Sequence, residues 1–189
     1  MQGTEFGERS IKACQAKGIP VKEGVLNPTD FAPESFDVVC TFEVVEHLVD
    51  PSDEIDKMLT LLRPGGLLYV TVPNFNCIAR HADPGNWNVA SYPEHLNYFT
   101  PRTMNALLTA KGLRRSWLAT TGISIERWKT KRTTGKQGRK QAHLVQEKLR
   151  GKLEASWYLR FAKASANGIL TTFAIGDSLK AAYVKPATP

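Results

Sequence analysis

Apolar and polar residues alternate between positions 36 and 74 in a way that predicts a strand, a helix and a second strand. The runs at 38–41 and 67–72 have the length and apolar character of buried strands. Between them, apolar residues recur at helical spacing over 55–62, and Asp50 is placed to cap that helix. Such a strand–helix–strand unit is a right-handed crossover in a parallel sheet.

The same alternation continues on both sides of this unit, which predicts an α/β fold with helices on the faces of a parallel sheet. A loop at 75–98 exceeds the usual loop length and contains four large aromatic residues, so we interpret it as a lid or an acceptor-binding loop. The other predicted elements are a strand end at 3–5, a helix at 8–17, a strand at 19–26, a helix capped by Thr100 and closed by Gly112, and strands at 113–121 and 178–184.

The region between the last two strands differs in composition from the rest of the chain. Residues 126–152 contain ten Lys or Arg against two Glu, a net charge of +8, whereas the whole chain carries +7. The basic pI is therefore a property of this segment. We predict an α/β domain at 1–124, a basic helical insertion at 125–168 and a C-terminal strand at 169–189 that returns to the sheet.

The 189 residues are enough for one domain with a sizeable core. No apolar run approaches the roughly 20 residues of a membrane span, and the first residues do not resemble a secretory signal, so we expect a cytoplasmic protein. Three cysteines without a CxxC pair support neither a disulfide framework nor a thiolate zinc site. Because Cys40 lies within a predicted buried strand, we expect a core thiol there.

Four sequence segments in this order resemble class I S-adenosylmethionine-dependent methyltransferases: FDVV, EVVEHL followed by DP, LRPGGLLYVTVPN, and PEHLNYFTPRTMNALLTAKGL. The resemblance is to the broad methyltransferase-domain group that includes ubiquinone-biosynthesis O-methyltransferases and sugar or small-molecule methyltransferases. It implies a Rossmann-like, doubly wound sheet, S-adenosylmethionine as cofactor and a small-molecule acceptor that is methylated on oxygen. It implies no metal.

The resemblance also assigns roles to individual residues. Glu5 would accept hydrogen bonds from both ribose hydroxyls of the cofactor. Leu26 and Asn27 would lie beside the adenine, although the family more often has an acidic residue near this position. The methionine end of the cofactor would be lined by Thr41, Phe42 and Glu43, and the acceptor pocket would begin at Pro73 and Asn74.

The candidate general base is His95, with Glu94 as its partner and His47 behind it, since histidine is the side chain that ordinarily titrates nearest to neutrality. Two structural interpretations remain open beside this one. Glu46 and His47 would then anchor the helix that follows them, and His95 would hydrogen-bond the backbone and shape the loop.

The family's glycine-rich GxGxG loop and the strand before it do not occur in this sequence. We therefore expect an N-terminally truncated enzyme with two exposed strand edges. We also expect the polypeptide alone to be marginally stable and to bind the cofactor poorly.

Several alternatives compete with an active small-molecule methyltransferase. One is a catalytically inactive methyltransferase-like binding or scaffold protein. Another is a nucleic-acid methyltransferase, suggested by the basic segment, but the chain lacks both an Asp-Pro-Pro-Tyr-like motif and a Pro-Cys pair. The basic segment is otherwise a solvated face or, through residues 126–163, a contact with an anionic membrane surface. The oligomeric state is left open.

Overall fold

Six strands and five α-helices form the described part of the chain, for which the computed structural model gives residues 1–87, 89–123 and 157–187. The strands are β1 (Gly3–Glu5), β2 (Val21–Glu23), β3 (Phe36–Phe42), β4 (Leu62–Pro73), β5 (Arg114–Thr121) and β6 (Ser178–Val184), and the helices are α1 (Glu8–Gln15), α2 (Pro51–Leu61), α3 (Ile78–Ala82), α4 (Pro101–Ala110) and α5 (Trp157–Thr172). The predicted α/β fold is confirmed.

The strands are divided between two sheets. β1 and β2 form a parallel pair, and the other four strands form a sheet in the order β3-β4-β6-β5. β3 and β4 are parallel, whereas β6 runs antiparallel to both of its neighbours, β4 and β5. Within the described residues, β1 pairs only with β2 and β3 pairs only with β4, so each has an unpaired edge, as the sequence predicts.

Helices α2 and α4 begin where the sequence predicts, because both have capping side chains. Asp50 accepts hydrogen bonds from the backbone N–H groups of Ser52 and Asp53 at 2.9 and 3.0 Å, and Pro51 occupies the first helical position. At α4, Thr100 and Thr103 form a reciprocal capping box. These caps fix the helix starts relative to the sheet.

The core lies around β4, one of the two inner strands of the four-stranded sheet. Leu68, Val70 and Val72 are buried on it, and Ile55 of α2 and Met104 of α4 cover the sheet. Burying each of these side chains contributes about 1.5 to 3 kcal/mol relative to leaving it exposed. This packing holds the carboxyl ends of β3 and β4 in place.

The prediction of a core thiol at Cys40 is wrong, because this side chain is exposed. β3 is the edge strand of its sheet, and Val38 and Phe42 on the same strand are also exposed. The apolar sequence of β3 is typical of a strand with neighbours on both sides. The prediction assumed that neighbouring elements bury both faces of β3, and the described residues do not do so.

Residues 63–66, between the predicted helix and the predicted strand at 67–72, form the first part of β4. Gly65 takes a left-handed φ of +76°, and its N–H donates to the Lys185 carbonyl at 2.8 Å. A Cβ on Gly66 would lie 2.8 Å from the Arg63 carbonyl oxygen, so glycine is required there. A register shift between Phe36 and Val38 of β3 accommodates the irregularity.

The 75–98 loop contains more regular structure than the sequence predicts. It includes α3 and a 3₁₀ turn at Pro84–Asn86. A small core of its own, formed by Cys77, Ala79, Trp87 and Val89 with Phe75 against it, fixes the loop. Phe75 and Trp87, two of the four large aromatic residues of the loop, therefore take part in this local packing.

Helix α5 continues to Thr172, past the predicted boundary between the insertion and the C-terminal strand at 168/169. Most of the predicted insertion lies outside the described residues, which omit 124–156. Of the helices that the structure describes, none has the length and apolar character to cross a membrane.

Candidate functional site

The candidate site begins at the carboxyl ends of β3 and β4, where open α/β sheets bind ligands. At the end of β3, Glu43 has a left-handed φ of +52°, and its N–H donates to the Thr71 carbonyl of β4 at 2.9 Å. A non-glycine residue in this conformation is uncommon and typical of functional strand ends. The turn lets the chain enter a 3₁₀ segment, Val45–His47, directly above the sheet.

This 3₁₀ segment is clamped to the second half of the 75–98 loop. The Glu46 carbonyl accepts hydrogen bonds from the N–H groups of Leu96 and Asn97, both at 2.9 Å. The Asn97 side chain in turn donates to the Leu48 carbonyl at 2.6 Å. Residues almost fifty positions apart are therefore held together at the strand end.

The clamp brings His47 and His95 together, with ring centroids 4.6 Å apart. Nδ1 of His47 lies 2.6 Å from the Glu94 carbonyl oxygen, and Nδ1 of His95 lies 2.5 Å from the Val89 carbonyl oxygen. Because a carbonyl oxygen only accepts hydrogen bonds, Nδ1 must be the donor in both rings. In the neutral tautomer each Nε2 then has a lone pair available to accept a proton.

Glu46 is the buried acid of this group, with 2% of the residue exposed. Desolvation by burial raises its pKa to about 7, with a smaller contribution from the charge of Glu43. Its Oε1 lies 3.8 Å from His47 Nε2, and its buried Oε2 has no hydrogen-bond partner within the described residues. A carboxyl group in this environment is poised to exchange a proton near neutral pH.

Glu46, His47 and His95 are also compatible with metal binding. Each offers one ligand atom, and the three atoms lie within 4.8 Å of one another. The Nδ1 hydrogen bonds to carbonyl groups are the kind that orient histidine ligands. The sequence gives no signal for this group of three, because His95 is distant in the chain from Glu46 and His47.

The three catalytic candidates from the sequence, His47, Glu94 and His95, thus lie close together, but His95 contacts a different side chain from the predicted one. Glu94 contacts His47 through its backbone carbonyl, while its carboxylate accepts a 3.4 Å hydrogen bond from Ser91. The His95 ring pairs with the Val89 carbonyl, and its neighbour is His47. The partner of His95 is therefore the His47–Glu46 pair and not the side chain that follows from adjacency in sequence.

On the cofactor side, Glu5 lies at the end of β1, as the sequence predicts. Its Oε1 accepts hydrogen bonds from the N–H groups of Phe6 and Gly7 at 2.8 and 2.9 Å, just before α1 begins. These bonds hold the carboxylate over the end of the strand. Its second oxygen keeps the capacity to accept from a ligand hydroxyl.

Leu26 and Asn27 follow β2, but the Asn27 side chain has a local structural role. Its Oδ1 accepts from the Thr29 N–H at 3.1 Å and from the Thr29 hydroxyl at 2.8 Å, which caps the 3₁₀ turn Pro28–Asp30. Leu26 packs on the edge of the main core. Of these two residues, Leu26 therefore offers an apolar surface near the strand end.

At the end of β3, Thr41 and Phe42 each have a feature that is typical of a ligand-binding site. The Thr41 hydroxyl is buried and has no hydrogen-bond partner within the described residues. Phe42 is 61% exposed, although its ring lies 5.9 Å from that of Tyr69. An orphaned hydroxyl next to an exposed aromatic ring fits a site that accepts a molecule with both polar and apolar parts.

Asn74 has a different role from the predicted start of the acceptor pocket. It is fully buried, and its side-chain amide donates to the carbonyls of Ala174 and Gly176 at 2.9 and 2.7 Å. It therefore ties the end of β4 to the chain entering β6. Sequence reasoning also missed Asn97, whose only signal was its position two residues after His95.

Comparison with known proteins identifies the family. The methyltransferase-domain family matches residues 8–116, more than half of the chain. A protein of Mycolicibacterium smegmatis described as a probable S-adenosylmethionine-dependent methyltransferase is 31% identical over 74 residues, which are 38% of this chain and 29% of that protein. A ubiquinone biosynthesis O-methyltransferase of Parvibaculum lavamentivorans is 31% identical over 80 residues, covering 39% and 32% of the two chains. The chain thus spans about a third of the length of these curated relatives.

The fold is also similar to that of solved methyltransferases. A crystal structure from Thermotoga maritima, described as a SAM-dependent methyltransferase and possible histamine N-methyltransferase, superposes with a TM-score of 0.60 at 14% identity. The alignment covers 97% of this chain and 72% of that one. The strand ends described above are the ligand edge of that fold class. The chain therefore belongs to the methyltransferase-domain family, with the Rossmann-like fold of class I S-adenosylmethionine-dependent methyltransferases.

Proposed function

We propose that this chain takes part in S-adenosylmethionine-dependent methyl transfer to a hydroxyl group of a small molecule, with His95 as the general base. The observation that supports this most is the pair of imidazoles at the carboxyl end of β3, each with Nδ1 donating to a carbonyl and Nε2 able to accept a proton. A base of this kind contributes typically 10² to 10⁴ to a rate when the acceptor is a hydroxyl.

The residues at the strand ends fit the cofactor that the family uses. Glu5 would hold the ribose hydroxyls, Leu26 would contact the adenine, and Thr41, Phe42 and Glu43 would line the methionine end. The orphaned Thr41 hydroxyl supports this assignment, because a buried hydroxyl without a partner is costly unless a ligand satisfies it. When bound, S-adenosylmethionine supplies an electrophilic methyl group on its sulfonium.

The protein's own part in the reaction is positioning and proton transfer. His95 Nε2 accepts the proton of the acceptor hydroxyl, and its Nδ1–H stays on the Val89 carbonyl, which fixes the ring. His47 contacts the His95 ring and lies 3.8 Å from Glu46, whose ionised carboxylate stabilises the positive charge that the His95 ring gains with the proton. The clamp through Asn97 maintains this geometry.

The choice of oxygen as the methylated atom rests on the names of relatives such as the ubiquinone biosynthesis O-methyltransferase. It is tested with two acceptor probes, catechol and histamine, at millimolar S-adenosylmethionine so that weak cofactor binding does not limit the rate. Formation of S-adenosylhomocysteine is followed by mass spectrometry. Turnover with catechol supports the proposal, whereas turnover with histamine alone contradicts O-methylation but leaves methyl transfer in place.

The role of His95 is tested in the same assay with His95→Gln, which removes the base and keeps a hydrogen-bonding side chain. We expect turnover to fall at least about tenfold, because a glutamine side chain cannot act as a base toward the acceptor hydroxyl. His81→Gln is the matched control, since His81 lies in the same loop and contacts Asn76. Unchanged turnover in His95→Gln would remove this residue as the base, and no turnover in the wild type with either probe would favour a binding or scaffold function.

A further inference from the structure

Helix α5 carries a stripe of apolar side chains that face solvent. Tyr158, Phe161 and Ile169 are 59%, 71% and 59% exposed, and Phe173 just beyond the helix is 65% exposed. Steps of three, eight and four residues place all four on one side of a helix. Large apolar side chains that are exposed together on one side of a helix indicate an interaction surface.

The opposite side of α5 is fixed to β5, so the stripe cannot turn inward. Leu170 is buried, and its carbonyl accepts a hydrogen bond from the Thr120 hydroxyl at 2.7 Å. The Thr171 hydroxyl donates to the Thr120 carbonyl at 2.9 Å. Asn167 accepts from the Gly122 N–H at 3.0 Å. These contacts set the rotation of the helix about its own axis.

The charge of this part of the sequence indicates what covers the stripe. The sequence of α5 has no acidic residue, and the residues 126–152 that precede it in the chain carry a net charge of +8. A second copy of the chain would bring the same positive charge to the contact and be repelled. A nucleic-acid duplex would match the charge, but its outward-facing phosphate backbone offers no apolar partner for the stripe, and the aliphatic Ile169 gives the bases of a single strand no ring to stack on.

An anionic lipid surface matches both features. Aromatic and aliphatic side chains of an interfacial helix enter the boundary between headgroups and acyl chains, while nearby Lys and Arg contact anionic headgroups. We propose that the protein binds anionic membranes peripherally, with the Tyr158, Phe161, Ile169 and Phe173 side of α5 lying in the lipid interface. The helix lies on the membrane in this arrangement and does not cross it.

Vesicle sedimentation tests this proposal with phosphatidylcholine vesicles that contain about 30% phosphatidylglycerol and with pure phosphatidylcholine vesicles. We expect binding to the anionic vesicles to be at least tenfold tighter, and raising the salt from 0.1 to 0.5 M to weaken it at least tenfold, because screening reduces the headgroup attraction. Equal binding to both vesicle types, or no binding to either, would overturn the proposal.

The stripe itself is tested with the double variant Phe161→Ser/Phe173→Ser, which we expect to lose at least tenfold in affinity for anionic vesicles. Phe6→Ser is the matched control, because Phe6 is 68% exposed outside α5. The conservative Phe161→Leu variant should retain binding, and circular dichroism checks that every variant is folded. Unchanged vesicle binding by the double variant, or a concentration-dependent dimer of the wild type that this variant abolishes, would contradict the lipid assignment.

Discussion

Glu46 illustrates at the scale of one residue how the site obtains its chemistry. Its side chain is buried because residues 94–97 cover the 3₁₀ segment through backbone hydrogen bonds to Glu46 and a side-chain bond to Leu48. Removal from water penalises the charged form, so the pKa rises to about 7. The carboxyl group next to His47 thus titrates near neutral pH.

This shift predicts a pH dependence of stability. The ordinary pKa of 4.5 applies to the unfolded chain, and the folded value is about 7. Between these pH values the folded protein keeps a proton that the unfolded chain has released, so the free energy of unfolding falls as the pH rises. The contribution of Glu46 to this fall is roughly 2 to 3 kcal/mol, and it levels off above pH 7.

Urea unfolding at pH 4.5 and pH 8 measures this contribution. In Glu46→Gln the side chain cannot ionise, so the fall in unfolding free energy between the two pH values should be smaller than in the wild type by that amount. Glu23→Gln, at an exposed carboxyl group, should behave like the wild type. Equal falls in the wild type and in Glu46→Gln would show that Glu46 ionises normally in the folded protein.

For single residues, the sequence predicts which side chains lie at the site better than it predicts which groups those side chains contact. Glu5, Thr41 and Glu43 lie at strand ends as expected from the alternation of apolar runs. The pairing of His95 with His47 could not be predicted in detail, because it depends on the path of a long loop that is fixed by its own small core. Adjacency in sequence suggested Glu94 as the partner of His95, but neighbouring side chains in a loop point in different directions.

At the scale of elements, the chain entering β6 is joined to its surroundings through Gly176. Its N–H donates to the Thr120 hydroxyl at 3.2 Å, and its carbonyl accepts from Asn74 at 2.7 Å. A Cβ at this position would lie 2.5 Å from backbone atoms of Thr120 and Thr121. Backbone atoms cannot move aside as a flexible side chain can, so only glycine allows this approach.

Two glycine substitutions should therefore have opposite effects on stability. Gly176→Ala should lower the free energy of unfolding by about 1 to 3 kcal/mol, through overpacking against β5. Gly168→Ala should raise it by about 0.5 to 1 kcal/mol, because no atom lies within 4 Å of the added Cβ and alanine favours a helix. Urea unfolding of both variants measures the difference, and a similar effect of the two would contradict the close approach at Gly176.

Elements with local signals are the ones that the sequence predicts well. Helices α2 and α4 have capping residues and proline at their first turns, and β6 is a short apolar run bounded by turn residues. Helix α5 extends beyond the predicted end of the helical insertion at 168, because it continues to Thr172. Contact with β5 through Leu170 and Thr171 overrides the local preference of glycine.

At the scale of the whole molecule, the cofactor residues are distributed over two sheets. Glu5 belongs to the β1–β2 pair, whereas Thr41 and Phe42 end β3 of the four-stranded sheet and Glu43 follows that strand. Within the described residues no strand bridges the unpaired edges of β1 and β3. The sequence also contains no glycine-rich GxGxG loop that would let a backbone approach the cofactor closely.

This division predicts that the 189-residue chain binds S-adenosylmethionine saturably but weakly, with a dissociation constant above about 100 µM, or a binding free energy weaker than about 5.5 kcal/mol. Within the described residues, no strand pairing fixes the distance between Glu5 on one sheet and the Thr41–Glu43 segment on the other. Bringing these two parts of the site together therefore costs part of the binding free energy. The same two unpaired edges make the folded state less stable than that of a continuous sheet.

Calorimetric titration of the chain with S-adenosylmethionine tests most directly whether the strand ends hold the cofactor. Glu5→Gln should weaken binding at least tenfold, because an amide cannot accept from both ribose hydroxyls as a carboxylate does. Glu8→Gln is the control, since Glu8 pairs with Lys12 on the exposed face of α1. We predict weak wild-type binding that Glu5→Gln reduces and Glu8→Gln leaves unchanged; micromolar wild-type binding, or equal affinity in Glu5→Gln, would contradict this account.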